Sequence, residues 1–111
     1  MILIGIGGFI GSIMRYLIGL CFTNSVMATL IINIIGSFII GIFFNANIDL
    51  RIKQFMMIGI CGGFTTFSSF SLQTYQIMLS GEIFNAILYS FASVFLCIIG
   101  VYLGFKFYTL F

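Results

Sequence analysis

The chain has 111 residues, of which 62% are hydrophobic and 5% charged, with a formal net charge of +2 and no proline, tryptophan or histidine. So few polar side chains cannot cover a soluble core, which makes the bilayer its solvent. Without histidine, and without any grouped acid, base or nucleophile, the composition also speaks against an enzyme.

Taken in order, the apolar runs are continuous rather than alternating, which predicts membrane helices and not a β-barrel. About 20 helical residues cross roughly 30 Å of hydrocarbon. Four runs of that length are present, at about residues 2–22, 26–44, 54–79 and 83–105, so residues 1–111 read as a single all-α membrane domain. The first, Ile2–Phe22, carries Gly5, Gly8, Ser12 and Arg15. It lacks a basic leader and a small-residue cleavage site, so it is expected to stay in the mature protein rather than act as a signal peptide. The second, Val26–Phe44, carries Thr29 and Asn33 one turn apart, then Ser37 and Gly41. A loop with Asp49, Arg51 and Lys53 follows. The third, Gln54–Leu79, is uncharged and contains "GGFTTFSSFS" from Gly62 to Ser71. The fourth, Ile83–Phe105, follows the turn "SGE" and carries Tyr89 and Ser93 one turn apart, then Gly100 and Gly104.

With four spans, both termini share a side with the second loop. Arg51, Lys53 and Lys106 lie there, against Arg15 nearer the other side, which favours cytoplasmic termini by a slim margin. So small a bias is compatible with insertion in both orientations, or with one orientation beside a differently biased partner. Glycines and serines at four-residue spacing let helix backbones approach closely. The third span holds more polar groups than one helix can satisfy, so a two-fold assembly with a second subunit is expected. The three cysteines, Cys21, Cys61 and Cys97, have no paired spacing and read as small packing residues.

Two glycines followed by two β-branched threonines are a poor helix segment, so a break is expected between Gly62 and Thr66, near the middle of the third span. In lipid, a broken helix is tolerated only where its freed backbone groups face protein or a cavity. Freed carbonyls can hold a small hard cation, and freed amides favour an anion. Phe67 and Phe70 are three residues apart and project from one face of the second half, where positive ring edges can meet a bare anion. Asn33 is expensive in hydrocarbon unless bonded, so it is expected to face the interior.

These motifs resemble those of the Fluc (CrcB-type) fluoride channels. "GGFIGSIMRY" is similar to the family's GGxxGAxxRY, "ATLIINIIGSFIIG" to its GTxxxNxxGSFxxG, and "GGFTTFSSF" to its GGxTTFSTF. Tyr89 and Ser93 match a tyrosine and a serine of its last helix. The resemblance implies an antiparallel dimer of four-helix subunits, of dual-topology type, in the cell membrane, with two narrow fluoride paths. It implies a structural Na⁺ at the dimer axis, held by carbonyls at Gly62 and Thr65. Phe67 and Phe70 then form an aromatic box, Thr29, Asn33, Thr66, Ser69, Tyr89 and Ser93 follow the anion path, and Arg15 stands in a vestibule. Cys97, one turn beyond Ser93, stands where many members carry another hydroxyl.

Fluoride is small and strongly hydrated, so weak neutral donors in series suit its passage better than a fixed charge that would trap it. Two alternatives stand beside a passive fluoride channel. One is a partner subunit of a heteromeric channel. The other is a small drug/proton antiporter, which needs an ionisable group inside the membrane; Asp49 and Glu82 are both predicted in loops, which weighs against it.

Overall fold

The computed structural model describes residues 1–110, and all regular structure among them is helical. α1 (Ile2–Leu20) and α2 (Ser25–Phe44) form the first two spans. The third is composite: α3 (Leu50–Gln54) runs into a π-helical segment, Phe55–Cys61, and then α4 (Gly62–Phe64). Thr65 and Thr66 are extended, and α5 (Phe67–Leu79) follows them. α6 (Ile83–Leu110) completes the fold. The four stretches Ile2–Leu20, Ser25–Phe44, Leu50–Leu79 and Ile83–Leu110 are long and apolar enough to cross a membrane. The chain is a multi-pass membrane protein.

Local chemistry sets where these helices begin. Asn24 Oδ1 accepts from the amides of Val26 and Met27 at 2.9 and 3.3 Å and starts α2. Asp49 Oδ1 accepts from the Arg51 amide at 2.8 Å and starts α3. The third span therefore begins at Leu50 rather than Gln54, and Arg51 and Lys53 ride on its first turn instead of in a loop. The fourth runs to Leu110, past the expected end at Phe105. Gly81, at φ +87°, takes the left-handed backbone that turns α5 into α6.

α1 packs mainly on the π-helical segment and α4, whereas α2 packs mainly on α6. Close approach needs Gly7: a Cβ there would lie 2.8 Å from the Phe55 carbonyl oxygen and 2.9 Å from Gly59 Cα. Along the other pair, Phe38 and Phe107 meet edge to face at 5.8 Å. α5 leans on α6 and α2. The extended pair Thr65–Thr66 thus carries the chain from the α1 side of the bundle to the α2–α6 side. Few of the described side chains are buried; Ala28, Ile32, Ala46, Cys61, Phe64, Ala86 and Tyr89 form the small apolar core. The outer surface is broadly apolar, as expected where lipid is the solvent.

Candidate functional site: a neutral polar path beside two extended threonines

Thr65 ends the first half of the third span in an ordinary way, its amide and its hydroxyl both donating to the Cys61 carbonyl at 3.0 and 2.8 Å. At Thr66 the helical ladder stops. Its amide donates to Asn33 Oδ1 at 2.8 Å, and its carbonyl accepts from Asn33 Nδ2 at 3.1 Å. The Asn33 side chain therefore stands in for a neighbouring peptide group, and one of its two amide hydrogens remains to donate elsewhere. Thr66 Oγ1 then accepts from the Ser69 amide at 3.2 Å, capping α5, and lies 3.1 Å from Ser69 Oγ. Gly36 makes room for this turn, because a Cβ there would collide with Thr65 Cγ2.

The carbonyls released on the first half have distinct fates. In an unbroken helix, Gly63 would accept from the Phe67 amide; here it accepts from Arg15 Nε at 3.1 Å and faces Ser12 Oγ at 3.5 Å. Arg15 thereby places a cation at a helix C-terminus, where the carbonyl dipoles favour it. The amide that would serve Gly62 is the one Asn33 takes, and the amide that would serve Thr65 is the one Thr66 Oγ1 takes. Gly62 and Thr65 thus both lack their helical donors.

Two cavities meet at this turn. One, about 320 Å³, is lined by Arg15, Thr29, Thr66, Ser69 and Gln73 among others. The second, about 340 Å³, is lined by Asn33, Gly62, Thr65, Thr66, Phe67, Phe70, Ser93 and Cys97 among others. Thr66 lines both. Among the described residues no carboxylate lines either one.

Within the first cavity Gln73 is a hub that the sequence reading missed. Its Nε2 donates to Thr29 Oγ1 at 2.9 Å and to the Ser25 carbonyl at 3.2 Å, while its Oε1 accepts from Tyr89 OH at 2.9 Å. One amide thus ties α2, α5 and α6 together. The signal available was its spacing: Gln73 lies four residues after Ser69, on the same face of α5.

In the second cavity, Phe70 sits between two rings, 5.5 Å from Phe67 and 5.2 Å from Tyr89 between centroids, at interplanar angles of 48° and 57°. Phe67 is 74% exposed, so its ring projects away from this chain. Ser93 is 6% exposed, and its Oγ has no hydrogen-bond partner among the described residues. Of the other hydroxyls, Ser68 Oγ lies 3.3 Å from Thr66 Oγ1, while Ser71 and, beyond the run, Thr74 donate back to the Phe67 and Phe70 carbonyls at 2.9 and 2.8 Å, as helix serines and threonines commonly do.

The eleven candidate positions therefore fall into connected groups. Asn33 joins Thr66 and Ser69; Thr29 and Tyr89 join through Gln73; Phe67, Phe70 and Ser93 share a cavity with Gly62 and Thr65; Arg15 reaches the turn through Gly63. Such a site offers neutral donors and ring edges, with one cation, Arg15, bonded through its Nε to the Gly63 carbonyl. Along the second cavity an anion would meet neutral groups alone.

Comparison with known proteins agrees with this architecture. The family described as CrcB-like protein, Camphor Resistance (CrcB), matches residues 2–105. A "Fluoride-specific ion channel FluC" of Elusimicrobium minutum is 41% identical over 113 residues, covering 94% of this chain and 89% of the relative. A protein of the same description from Thermus thermophilus is 36% identical, covering 95% and 90%. Another, from Campylobacter jejuni, is 39% identical, covering 95% and 93%. With the first three spans and most of the fourth inside the matched region, the chain belongs to the CrcB family.

Proposed function

We propose that this chain is the subunit of a passive, fluoride-selective channel rather than an enzyme or a coupled transporter, acting in the plasma membrane of the cell. The observation that carries the reading is the Ser93 hydroxyl: buried, without a partner among the described residues, and in the wall of the cavity that Phe67 and Phe70 also line. An unsatisfied buried hydroxyl costs about 1–3 kcal/mol. A turn of the Ser93 side chain into the cavity would offer that hydroxyl to a hydrogen-bond acceptor there, and fluoride is the ion named for the relatives.

In this reading fluoride enters beside Arg15, which attracts anions while its Nε is engaged by the Gly63 carbonyl. It exchanges hydration water for the hydroxyls of Thr29, Thr66 and Ser69, passes the second amide hydrogen of Asn33, and meets the ring edges of Phe67 and Phe70. Ser93 and the Tyr89 hydroxyl line the remainder of the track. Each donor is weak, so release stays as easy as entry. Asp49 and Glu82 supply no carboxylate to the path: Asp49 caps α3, and Glu82 accepts from Asn85 in the turn before α6. That disfavours a proton-coupled antiporter.

The exposed Phe67 ring and the open side of the second cavity support an assembly of two such chains, which we take to be an antiparallel dimer with two paths. The carbonyls of Gly62 and Thr65, both deprived of their helical donors, fit a hard cation, and Na⁺ shared between two subunits would hold the two junctions together. Among the described residues no cluster of three His, Cys, Asp or Glu offers an alternative metal site.

The test is anion efflux from liposomes holding this chain alone. Fluoride should leave down its gradient at least about a hundredfold faster than chloride. Equal rates would reject the selectivity. Silence that is relieved by a co-expressed paralogue would reassign the chain as a partner subunit.

A further inference from the structure

The second cavity carries sulfur as well as hydroxyls. Met57, Cys61 and Cys97 all line it, the first two from the π-helical segment and the third from α6. Cys61 is buried and Cys97 half-buried, while Cys21 is exposed at the end of α1. Cys97 follows Ser93 by four residues on α6, which puts both side chains on one helix face. Ser93 Oγ, buried and without a partner among the described residues, is an independent sign that this cavity takes a guest. The half-buried thiol of Cys97 adds a soft nucleophile to the wall that Ser93, Phe67 and Phe70 also form.

We propose that this cavity is a modification site for small thiophilic electrophiles, with Cys97 as the attacking group, and that an adduct there closes the anion path. The effect on flux rests on the function proposed above; the adduct itself does not. With methyl methanethiosulfonate as probe, the Cys97 thiolate attacks the sulfenyl sulfur. A new S–S bond forms, the S–SO₂ bond breaks, methanesulfinate leaves with the electron pair, and the thiol proton passes to water. The reagent is neutral and a few atoms long, so a cavity of about 340 Å³ admits it. The methylthio group then occupies space beside Ser93 that the ion would need.

The experiment uses the full chain with Cys21→Ser, reconstituted in liposomes, treated with the reagent, assayed for fluoride efflux and mapped by peptide mass spectrometry. Cys97 should carry the methylthio group, efflux should fall about tenfold or more, and dithiothreitol should restore it within the same preparation. In the additional presence of Cys97→Ser or Cys97→Ala, treatment should leave each variant at its own untreated rate. An unmodified Cys97, an adduct that leaves efflux intact, or equal inhibition without Cys97 would each overturn the proposal. Should untreated protein pass no fluoride, the channel reading fails, while the adduct map still decides whether the cavity admits electrophiles to Cys97.

Discussion

Asn33 spends its side-chain oxygen and one amide hydrogen on a single residue, Thr66, 33 positions away. The sequence marks such an asparagine as interior, since an unbonded amide in hydrocarbon is costly, but it does not reveal that the partner is backbone. Its role is therefore double: a strut for the turn and, through the remaining hydrogen, a donor on the proposed path. Replacing it, as Asn33→Leu, strands an amide and a carbonyl at about 1–3 kcal/mol each. Thermal melting in detergent should shift down and fluoride efflux should fall together; a variant with unchanged melting would show that the strut does not hold the turn. Gln73 escaped the sequence reading for a related reason. Its partners lie 44 and 16 positions away on two other helices, and its spacing from Ser69 marks a shared face without revealing what that face meets.

At the scale of elements, apolar run length was enough to find four spans, because each has to cross the same hydrocarbon. It was not enough to place their ends. The Asp49 cap recruits four residues that read as loop, and cationic side chains in a first turn gave no warning. The π-helical stretch Phe55–Cys61 was likewise invisible, since an apolar run looks alike whether its turns are regular or widened. At the Gly62–Thr66 motif the glycine pair stays helical, and the two threonines take the extended backbone. Asn33 and the Thr66 cap explain that choice, because both draw on groups that only Thr66 and its neighbours present. The cap gives a clean prediction. Thr66→Ser keeps the hydroxyl and should retain efflux within about twofold, whereas Thr66→Ala loses a cap of about 1 kcal/mol and should lower both melting temperature and efflux. Equal behaviour of the two variants would remove the hydroxyl from the account.

For the whole molecule, the division into an α1 side and an α2–α6 side matters more than the count of helices. The third span belongs to the first side before Thr65 and to the second side after Thr66, so one turn sets both cavities against each other. No sequence pattern carries that information, since it depends on which helices pack together. The exposed rings of Phe67 and Phe91, 74% and 72% accessible, show how much apolar surface a single chain leaves for lipid or a partner. If two chains share a Na⁺ at Gly62 and Thr65, exchanging Na⁺ for a large organic cation should weaken dimer retention on size-exclusion chromatography and depress efflux; indifference in both would remove the cation from the assembly. The central claim is that neutral groups pass fluoride without coupling to protons. Liposomes loaded with potassium fluoride and containing this chain test it most directly: fluoride should stay inside until valinomycin lets K⁺ follow, at the same rate with or without a pH gradient. Release driven by a pH gradient in the absence of valinomycin would contradict it.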